Sequence, residues 1–297
     1  MSSPITSKKT SKHRIEHPKD PNSPLTGVLE QVAPDEPTQG RRIALLLHGS
    51  IGHKDYLFLK RVALRLPIDS FRFDFRGNFE SPGPWRMAGF DDDAEDISAV
   101  VAYLTSKFGY VVDLIVAHSR GVVAAIRWMC TAQEAQSVRG FVNASGRYRM
   151  DLIYDSHKSF LEDLEKHGHF IRNETVARQP WSAKIMKKDM EEFANFDSSL
   201  VWDYFPKKTH VLTLHGLKDA VVPAYDGIIY SRAFAARSPG THQLYLIEEA
   251  DHNFTRMQDH VTDTILEWFA LMESGTLTTG IWHTGIREPS QVRSSRL

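Results

Sequence analysis

The chain has 297 residues, of which 41% are hydrophobic and 25% are charged, and its formal net charge is −1. This length suits one large globular domain with room for an insertion, and the near-neutral charge does not predict a nucleic-acid-binding surface. The one cysteine, Cys130, excludes an internal disulfide framework and is expected to be a packing residue. No apolar run reaches the ~20 residues of a membrane-spanning helix, and residues 1–20 lack the apolar core of a signal peptide. A soluble intracellular protein is expected.

The first segment differs in composition from the rest of the chain. Residues 1–40 are rich in Pro, Ser, Thr and Lys without a sustained hydrophobic period, which predicts a flexible or loosely docked N-terminal arm. From Arg41 onward, short apolar runs end in Gly, Asp or His. Near-continuous hydrophobicity is typical of strands buried on both faces, and therefore of a parallel sheet between helices. These runs are RRIALLLHG, SFRFDFRG, DLIVAHSRG, GFVNASG, HVLTLHGLKD and HQLYLIEEADH.

Helical patterns lie between the apolar runs. DDDAEDISAVVAYLTSKFG begins with acidic residues, which favour a helix N-terminus, and then spaces its apolar residues at helical intervals. A second pattern, NFTRMQDHVTDTILEWFALME, places Met257, Val261, Ile265 and Phe269 on one face. The alternation of strands and helices predicts an α/β fold, with a mostly parallel sheet flanked by helices.

One long segment interrupts this alternation. Residues 151–208 show no convincing strand and interleave charged residues with large apolar ones, which predicts a helical cap inserted over the sheet. The alternative is a set of ordinary crossover helices. The core is then expected to comprise residues 41–150 and 209–272, followed by a polar, irregular tail over residues 273–297.

Ser119 stands at an abrupt change of pattern in VDLIVAHSRGVVAAI. The apolar run before it predicts a strand and the run after it predicts a helix, so the serine lies on a very short turn. Such a turn exposes the hydroxyl at the sheet edge and directs the N–H groups of the next helix at developing negative charge. The crowding requires small residues two positions away on either side, and Ala117 and Gly121 fit. The alternative is a helix-capping serine.

The segment around Ser119 resembles the nucleophile elbow G-x-S-x-G of the α/β-hydrolase superfamily, with Ala117 in place of the first glycine. HGLKDAVVP is similar to the acid-bearing loop H-G-x-x-D-x-x-V-P of that superfamily, and EEADHNF follows it before the last helix. The resemblance implies an α/β-hydrolase fold and a triad of Ser119, Asp219 and His252, in the order serine, acid, histidine.

Two further loops resemble the same superfamily. LLLHGSIG is similar to its H-G-x-x-G loop, which implies that the backbone N–H groups of Ser50 and Arg120 form an oxyanion hole. FDFRGNFESPG resembles D-x-R-G-x-G-x-S, with Phe79 in place of the second glycine, so this loop is expected to differ in shape. The resemblance covers residues 41–147 and 209–272 and also extends to small fungal abhydrolases.

Each candidate has an alternative at this stage. Asp251 or Asp203 could replace Asp219 as the acid, and His252 is one of 14 histidines. Ser145 also ends a strand, but nothing downstream supports it as a nucleophile. His48, His118 and His215 are expected to be structural or to orient loops. No cluster has metal-ligand spacing, and no nucleotide-binding motif occurs, so no cofactor is implied.

The resemblance implies a serine hydrolase that cleaves a carboxylic ester or acyl thioester, and the aromatic residues of the inserted segment indicate a hydrophobic acyl group of moderate size. The alternatives are a peptidase, a C–C hydrolase or an acyltransferase on the same triad, or a non-catalytic binding protein of the same fold. The substrate is expected to be a small molecule, with no nucleic-acid partner.

The last three residues, Ser295, Arg296 and Leu297, match the small–basic–leucine pattern of the peroxisomal import signal. With Leu297 as the native terminus, they predict binding to a peroxisomal import receptor and peroxisomal localisation. The alternative is a solvated tail on a cytoplasmic protein.

Overall fold

A computed structural model describes residues 8–284. Within these residues nine strands form one sheet, and two further strands form a separate hairpin. The strands are β1 (Lys9–Ile15), β2 (Leu25–Gln31), β3 (Arg42–Leu47), β4 (Asp69–Asp74), β5 (Val111–His118), β6 (Gly140–Ala144), β7 (His169–Val176), β8 (Gln179–Met186), β9 (His210–Gly216), β10 (His242–Ile247) and β11 (Gly280–Thr284).

The large sheet has the strand order β1-β2-β4-β3-β5-β6-β9-β10-β11. The pairs β1–β2 and β2–β4 are antiparallel, and the other pairs are parallel. The carboxyl ends of β3, β5, β6, β9 and β10 therefore meet at one edge, where open α/β sheets bind their ligands. The expected mostly parallel α/β sheet is confirmed.

Helices cover both faces of this sheet, and further short helices belong to the inserted segment. Together they are α1 (Leu59–Arg65), α2 (Phe90–Phe108), α3 (Arg120–Thr131), α4 (Ile153–Ser156), α5 (Leu161–His167), α6 (Lys187–Ala194), α7 (Leu200–Asp203), α8 (Tyr225–Ala235) and α9 (Gln258–Glu273). Leu45 and Leu47 of β3 pack in a cluster with α2, α3 and α8, whereas Ala44 and Leu46 pack with α1 and α9. This two-sided burial explains why the central strands are hydrophobic almost without interruption.

The expected flexible N-terminal arm is wrong for residues 8–40. Strands β1 and β2 form the antiparallel end of the large sheet, and Leu25 and Leu29 are fully buried in its core. The Lys8 Nζ also donates hydrogen bonds to the backbone oxygens of Ala63 and Ile68, at 2.8 and 2.6 Å. The sequence shows no hydrophobic strand pattern at β1, because backbone hydrogen bonds hold this strand in the sheet and Ile15 is its only buried residue.

The C-terminal tail is also more regular than expected. Strand β11 extends the sheet by pairing parallel with β10. This edge strand follows α9 closely, so the irregular tail does not begin at residue 273. Residues 285–297, which include Ser295, Arg296 and Leu297, lie outside the described residues.

The segment 151–208 is not purely helical, which corrects the expectation. Short helices flank the antiparallel hairpin of β7 and β8. Most residues of the two strands are exposed, so they lack the hydrophobic alternation that indicates a strand. The turn residues, Ala177 and Arg178, have φ of 49° and 68°. Such turns usually carry Asn or Gly, and their absence removed the hairpin signal.

The inserted segment has its own apolar cluster, and we call residues 150–196 the cap. Phe160 and Phe170 stack with ring centroids 4.5 Å apart inside it, and the cluster also includes Met87, Phe90 and Val123 of the core. Beyond the cap, three apolar side chains join the main core instead, so the inserted unit ends before the expected residue 208; they are Leu200, Val201 and Phe205.

An ion-pair cluster joins α9 to the amino-terminal edge of the sheet, opposite the site edge. The Glu273 carboxylate accepts hydrogen bonds from Arg42 at 2.6 Å on each oxygen and from Arg139 at 2.7 Å. The hydrogen bond from Arg42, followed by that from Arg139, lowers the pKa of Glu273 to about 2 despite partial burial.

We expect Glu273→Gln to lower the free energy of unfolding by about 1 kcal/mol at pH 7, a value discounted for solvent screening. A carboxyl group with a lowered pKa stabilises the fold at pH values above its ordinary pKa of 4.5. This stabilisation is lost as the pH falls towards 2. Urea unfolding between pH 7 and pH 3 measures this, with Glu267→Gln on the exposed face of α9 as the control. A Glu273→Gln deficit that does not shrink with falling pH would contradict it.

Candidate active site

Ser119 has an unusual backbone conformation at the junction of β5 and α3. Its φ is 52° and its ψ is −121°, and positive φ is unfavourable for a residue with a side chain. The Ser119 N–H donates to the backbone oxygen of Ala144 at 2.8 Å, and the backbone oxygen of Ser119 accepts from the Val122 N–H at 2.9 Å. These bonds hold the short turn and leave the hydroxyl at the carboxyl edge of the sheet.

The turn is crowded, as the sequence pattern predicted. A Cβ atom on Gly121 would lie 2.4 Å from the backbone oxygen of His48, which is closer than real contacts allow. A Cβ on Gly49 would lie 3.1 Å from the Cβ of Ser119. The loop after β3 therefore passes against the start of α3 with no room for side chains between them.

The structure brings the three predicted residues together. The Ser119 Oγ lies 2.9 Å from the His252 Nε2, and the His252 Nδ1 lies 2.9 Å from the Asp219 Oδ2. In the neutral imidazole, Nδ1–H donates to the carboxylate and leaves Nε2 to accept the serine proton. This arrangement equips the hydroxyl to act as a nucleophile.

Asp219 is buried and held as a carboxylate. Burial opposes its charge, but hydrogen bonds from His215 and His252 outweigh that effect and lower its pKa well below the ordinary value of 3.8. The backbone N–H groups of Val221 and Val222 donate to its Oδ1 at 2.9 and 2.8 Å. The His252 Nδ1 thus faces a fixed negative charge.

The two alternative acids lie elsewhere. Asp251 accepts hydrogen bonds from the backbone N–H groups of Asn253 and Thr255, at 3.1 and 2.8 Å, and so shapes its own loop. Asp203 is the last residue of α7 and does not line the cavity beside Ser119. Asp219 alone of these three carboxylates contacts the His252 ring.

Two residues that the sequence analysis did not place in the site hold the backbone of His252. The His118 Nε2 donates to the His252 backbone oxygen at 2.9 Å, and the Ser145 Oγ donates to the same oxygen at 3.2 Å. Burial lowers the pKa of His118 to about 3, so its imidazole is neutral. Their positions were the indication in the sequence that both residues lie near the site, because His118 ends β5 and Ser145 directly follows β6.

The predicted oxyanion-hole residues both line the cavity beside Ser119. Arg120 is the first residue of α3, so its backbone N–H has no partner within the helix. Its side chain turns away to form a buried ion pair with Asp93. His48 shapes the other loop, because its Nδ1 donates to the Gly49 oxygen at 2.8 Å. The oxyanion roles of Ser50 and Arg120 stay predictions.

At Phe79 the backbone is in the left-handed region, which a glycine adopts more easily. Phe79 has a φ of 43°, and 42% of its surface is exposed. Its ring lies 5.1 Å from the His53 ring and 4.9 Å from the Lys54 Nζ. The substitution therefore adds an aromatic surface near the cavity residue His53.

A cavity of about 300 Å³ opens at Ser119 between the sheet edge and the cap. Its apolar wall is formed by Met87, Val123, Ile153 and Phe193, and its polar side chains include His53, Arg147, Arg172 and Glu174. Across residues 8–284, no group of three or more His, Cys, Asp or Glu side chains is placed to hold a metal ion. None of the helices in this range is both long and apolar enough to cross a membrane.

Comparison with known proteins supports the fold. No family model matches the chain. An uncharacterized protein of Saccharomyces cerevisiae, YDL057W, is 29% identical over 244 residues, which cover 72% of this chain and 69% of that protein.

Three solved structures have similar folds. Est1E from Butyrivibrio proteoclasticus, solved with ferulic acid, has a TM-score of 0.68 and 17% identity and covers 88% of this chain and 99% of its own. The esterase Pf2001 of Pyrococcus furiosus has a TM-score of 0.64 at 15% identity, and the match covers 89% of this chain and 90% of that chain. ATU1826 of Agrobacterium tumefaciens, a candidate α/β hydrolase of unknown function, has a TM-score of 0.64 at 13% identity, covering 91% and 100%. The chain has the α/β-hydrolase fold.

We expect Gly121→Ala to lower the free energy of unfolding by about 2–4 kcal/mol, because the added methyl group meets a backbone oxygen that cannot move aside. Gly89→Ala is the matched control, since its Cβ would meet only side-chain atoms at 3.3 Å or more. Chemical denaturation of both variants measures the difference. Equal stability of the two variants would show that the turn is not crowded in solution.

Proposed function

We propose that the protein is a serine hydrolase that cleaves a carboxylic ester or acyl thioester. The observation that carries this proposal is the chain of hydrogen bonds from Ser119 through His252 to Asp219, with both distances 2.9 Å. A serine held at positive φ on a strand-to-helix turn supports the same function, because the fold maintains this unfavourable conformation at the site.

The proposed reaction passes through an acyl-enzyme. The Ser119 Oγ attacks the substrate carbonyl carbon while the His252 Nε2 removes its proton, and the Ser50 and Arg120 N–H groups stabilise the oxyanion. The imidazolium then donates this proton to the departing alcohol or thiol as the carbonyl re-forms. A water molecule, deprotonated by His252, attacks the acyl-enzyme, and His252 returns this proton to the Ser119 Oγ as the carboxylic acid is released. Asp219 holds the imidazole and balances its positive charge throughout.

The cavity supports a hydrophobic acyl group of moderate size. Met87, Val123, Ile153 and Phe193 offer an apolar wall, and about 300 Å³ is at the small end of ligand cavities. The neighbouring structures are consistent with ester chemistry, because Pf2001 is named an esterase and Est1E was solved with an aromatic carboxylic acid. The cap covers the cavity and would exclude water from the acyl-enzyme.

We expect Ser119→Ala to lower kcat on p-nitrophenyl esters by about 10⁴–10⁶-fold, because the nucleophile and base act as a unit. Asp219→Asn is expected to cost about 10⁴-fold, since an amide stabilises neither the required imidazole tautomer nor its charged form. Steady-state kinetics on a panel of p-nitrophenyl esters, acyl-CoA thioesters and aminoacyl amides measures both effects and separates ester from amide cleavage.

The matched control for this experiment is Ser106→Ala, which removes an exposed serine hydroxyl on α2 and should leave kcat unchanged. Turnover of esters that persists in Ser119→Ala, or that appears on amides and not on esters, would contradict the proposed function.

Peroxisomal localisation is a separate proposal, which rests on Ser295, Arg296 and Leu297 as the native end of the protein. We expect the full chain, carrying a fluorescent protein fused before residue 1, to localise to peroxisomes in a cell. The same fusion without Ser295–Leu297 is expected to stay in the cytoplasm. Identical distributions of the two fusions would contradict this proposal.

A further inference from the structure

Arg147 is a buried arginine in the wall of the cavity that contains Ser119. It lies shortly after β6, and only 4% of its surface is exposed. Its Nη2 donates to the backbone oxygen of Val221 at 2.6 Å and to the Ser156 Oγ at 3.0 Å. Its Nη1 is buried and has no hydrogen-bond partner within residues 8–284.

This guanidinium has no carboxylate in direct contact in the part of the chain that the structure describes. No carboxylate oxygen of residues 8–284 lies within 4 Å of it. The carboxylate of Asp226 is committed to other donors, because it accepts from the backbone N–H groups of Tyr148 and Arg149 and from the Arg149 Nη2. Burial lowers the pKa of Arg147, as expected for a cation that has lost its water, and outweighs the opposing charges of Asp226 and Asp219. A buried charge is normally paired.

The other arginines of the cavity wall are neutralised. Arg120 is paired with Asp93, and the Arg172 Nε lies 3.0 Å from a Glu174 oxygen. Burial lowers the pKa values of His53 and His157, so both imidazoles are neutral at pH 7. Among the described residues, Arg147 is therefore the one arginine of the cavity wall without a direct ion-pair partner.

We propose that Arg147 binds a carboxylate of the substrate, and that the substrate is a monoester of a dicarboxylic acid. This inference rests on the proposed function. An arginine presents paired N–H groups that match the two oxygens of a carboxylate. A carboxylate that accepts from Nη1 and Nη2 supplies the missing hydrogen-bond partner and a direct counter-ion together. One negative charge matches the single charge of Arg147, and the nearby carboxylates of Asp219 and Asp226 disfavour a phosphate monoester dianion.

The surroundings of Arg147 leave a path to it. Ser156 and Val221, which contact its Nη2, are both exposed, so only a thin layer of the protein separates the guanidinium from solvent. Ser156 belongs to the cap, and displacement of its hydroxyl frees one N–H of Nη2. The apolar wall of the cavity then accommodates the methylene chain between the ester and the carboxylate.

The test compares two esters of equal size. In p-nitrophenyl hemiadipate the acyl chain ends in a carboxylate, and in p-nitrophenyl 6-methylheptanoate an uncharged isopropyl group takes its place. We expect wild-type kcat/KM to be about 10–100-fold higher for the hemiadipate, the range of a hydrogen bond to a charged group. Arg147→Met is expected to abolish this preference by lowering kcat/KM for the hemiadipate alone, and Arg147→Lys is expected to retain part of it.

The control is Arg172→Met, which removes the paired arginine of the same wall and is expected to retain the preference. A wild-type enzyme that does not prefer the hemiadipate would overturn the inference and leave the proposed function intact. An equal loss on both esters in Arg147→Met would also overturn it, because that result indicates packing alone. If Arg147→Met does not fold, the inference is tested by the preference of the wild-type enzyme for the hemiadipate and by the part of that preference that Arg147→Lys retains.

A binding measurement separates this inference from the proposed function. If no ester shows Ser119-dependent turnover, the proposed function fails, and calorimetry with monomethyl adipate then tests Arg147 directly. We expect wild type to bind monomethyl adipate at least ~10-fold more tightly than Arg147→Met does. Equal affinity of the two proteins, or tighter binding of n-butyl phosphate to wild type, would overturn the assignment to a carboxylate.

Discussion

The turn at Ser119 is the constraint on which the rest of the site depends. A serine at positive φ costs of order 1–3 kcal/mol, and the surrounding structure must supply that free energy. The hydrogen bond from the Ser119 N–H to Ala144 and the close approach of Gly121 to His48 show how it does so. Once the turn is fixed, the hydroxyl of Ser119 projects from the sheet edge within 2.9 Å of His252.

The buried groups around this turn differ in charge. Asp219 is a buried carboxylate that contacts the His252 ring, and Arg147 is a buried cation in the cavity wall. Two other buried imidazoles, those of His48 and His118, are neutral because burial lowers their pKa values to about 3. These neutral rings support neighbouring loops through hydrogen bonds. Among the described residues, His252 is the only imidazole with both a carboxylate and a serine partner.

The predictable parts of the molecule are those in which burial leaves a pattern. Central strands such as β5 are hydrophobic throughout because both faces are covered, and the predicted serine, acid and histidine all follow such strands. Strand β1 and the hairpin of β7 and β8 left little pattern, because most of their residues are exposed and the turn at Ala177 and Arg178 lacks the usual residues. The supports of His252 and the unpaired Arg147 depend on contacts between distant segments, which no local pattern encodes.

The most direct test of the account is covalent labelling of Ser119 by a fluorophosphonate probe, followed by intact mass and peptide mapping. A serine activated by His252 should take up one probe per chain at Ser119 within minutes at about pH 7.5. His252→Ala should react far more slowly while remaining folded by circular dichroism, because its serine keeps the turn and loses the base. Absence of labelling in wild type, or equal labelling in His252→Ala, would contradict the claim that these side chains form a working nucleophile.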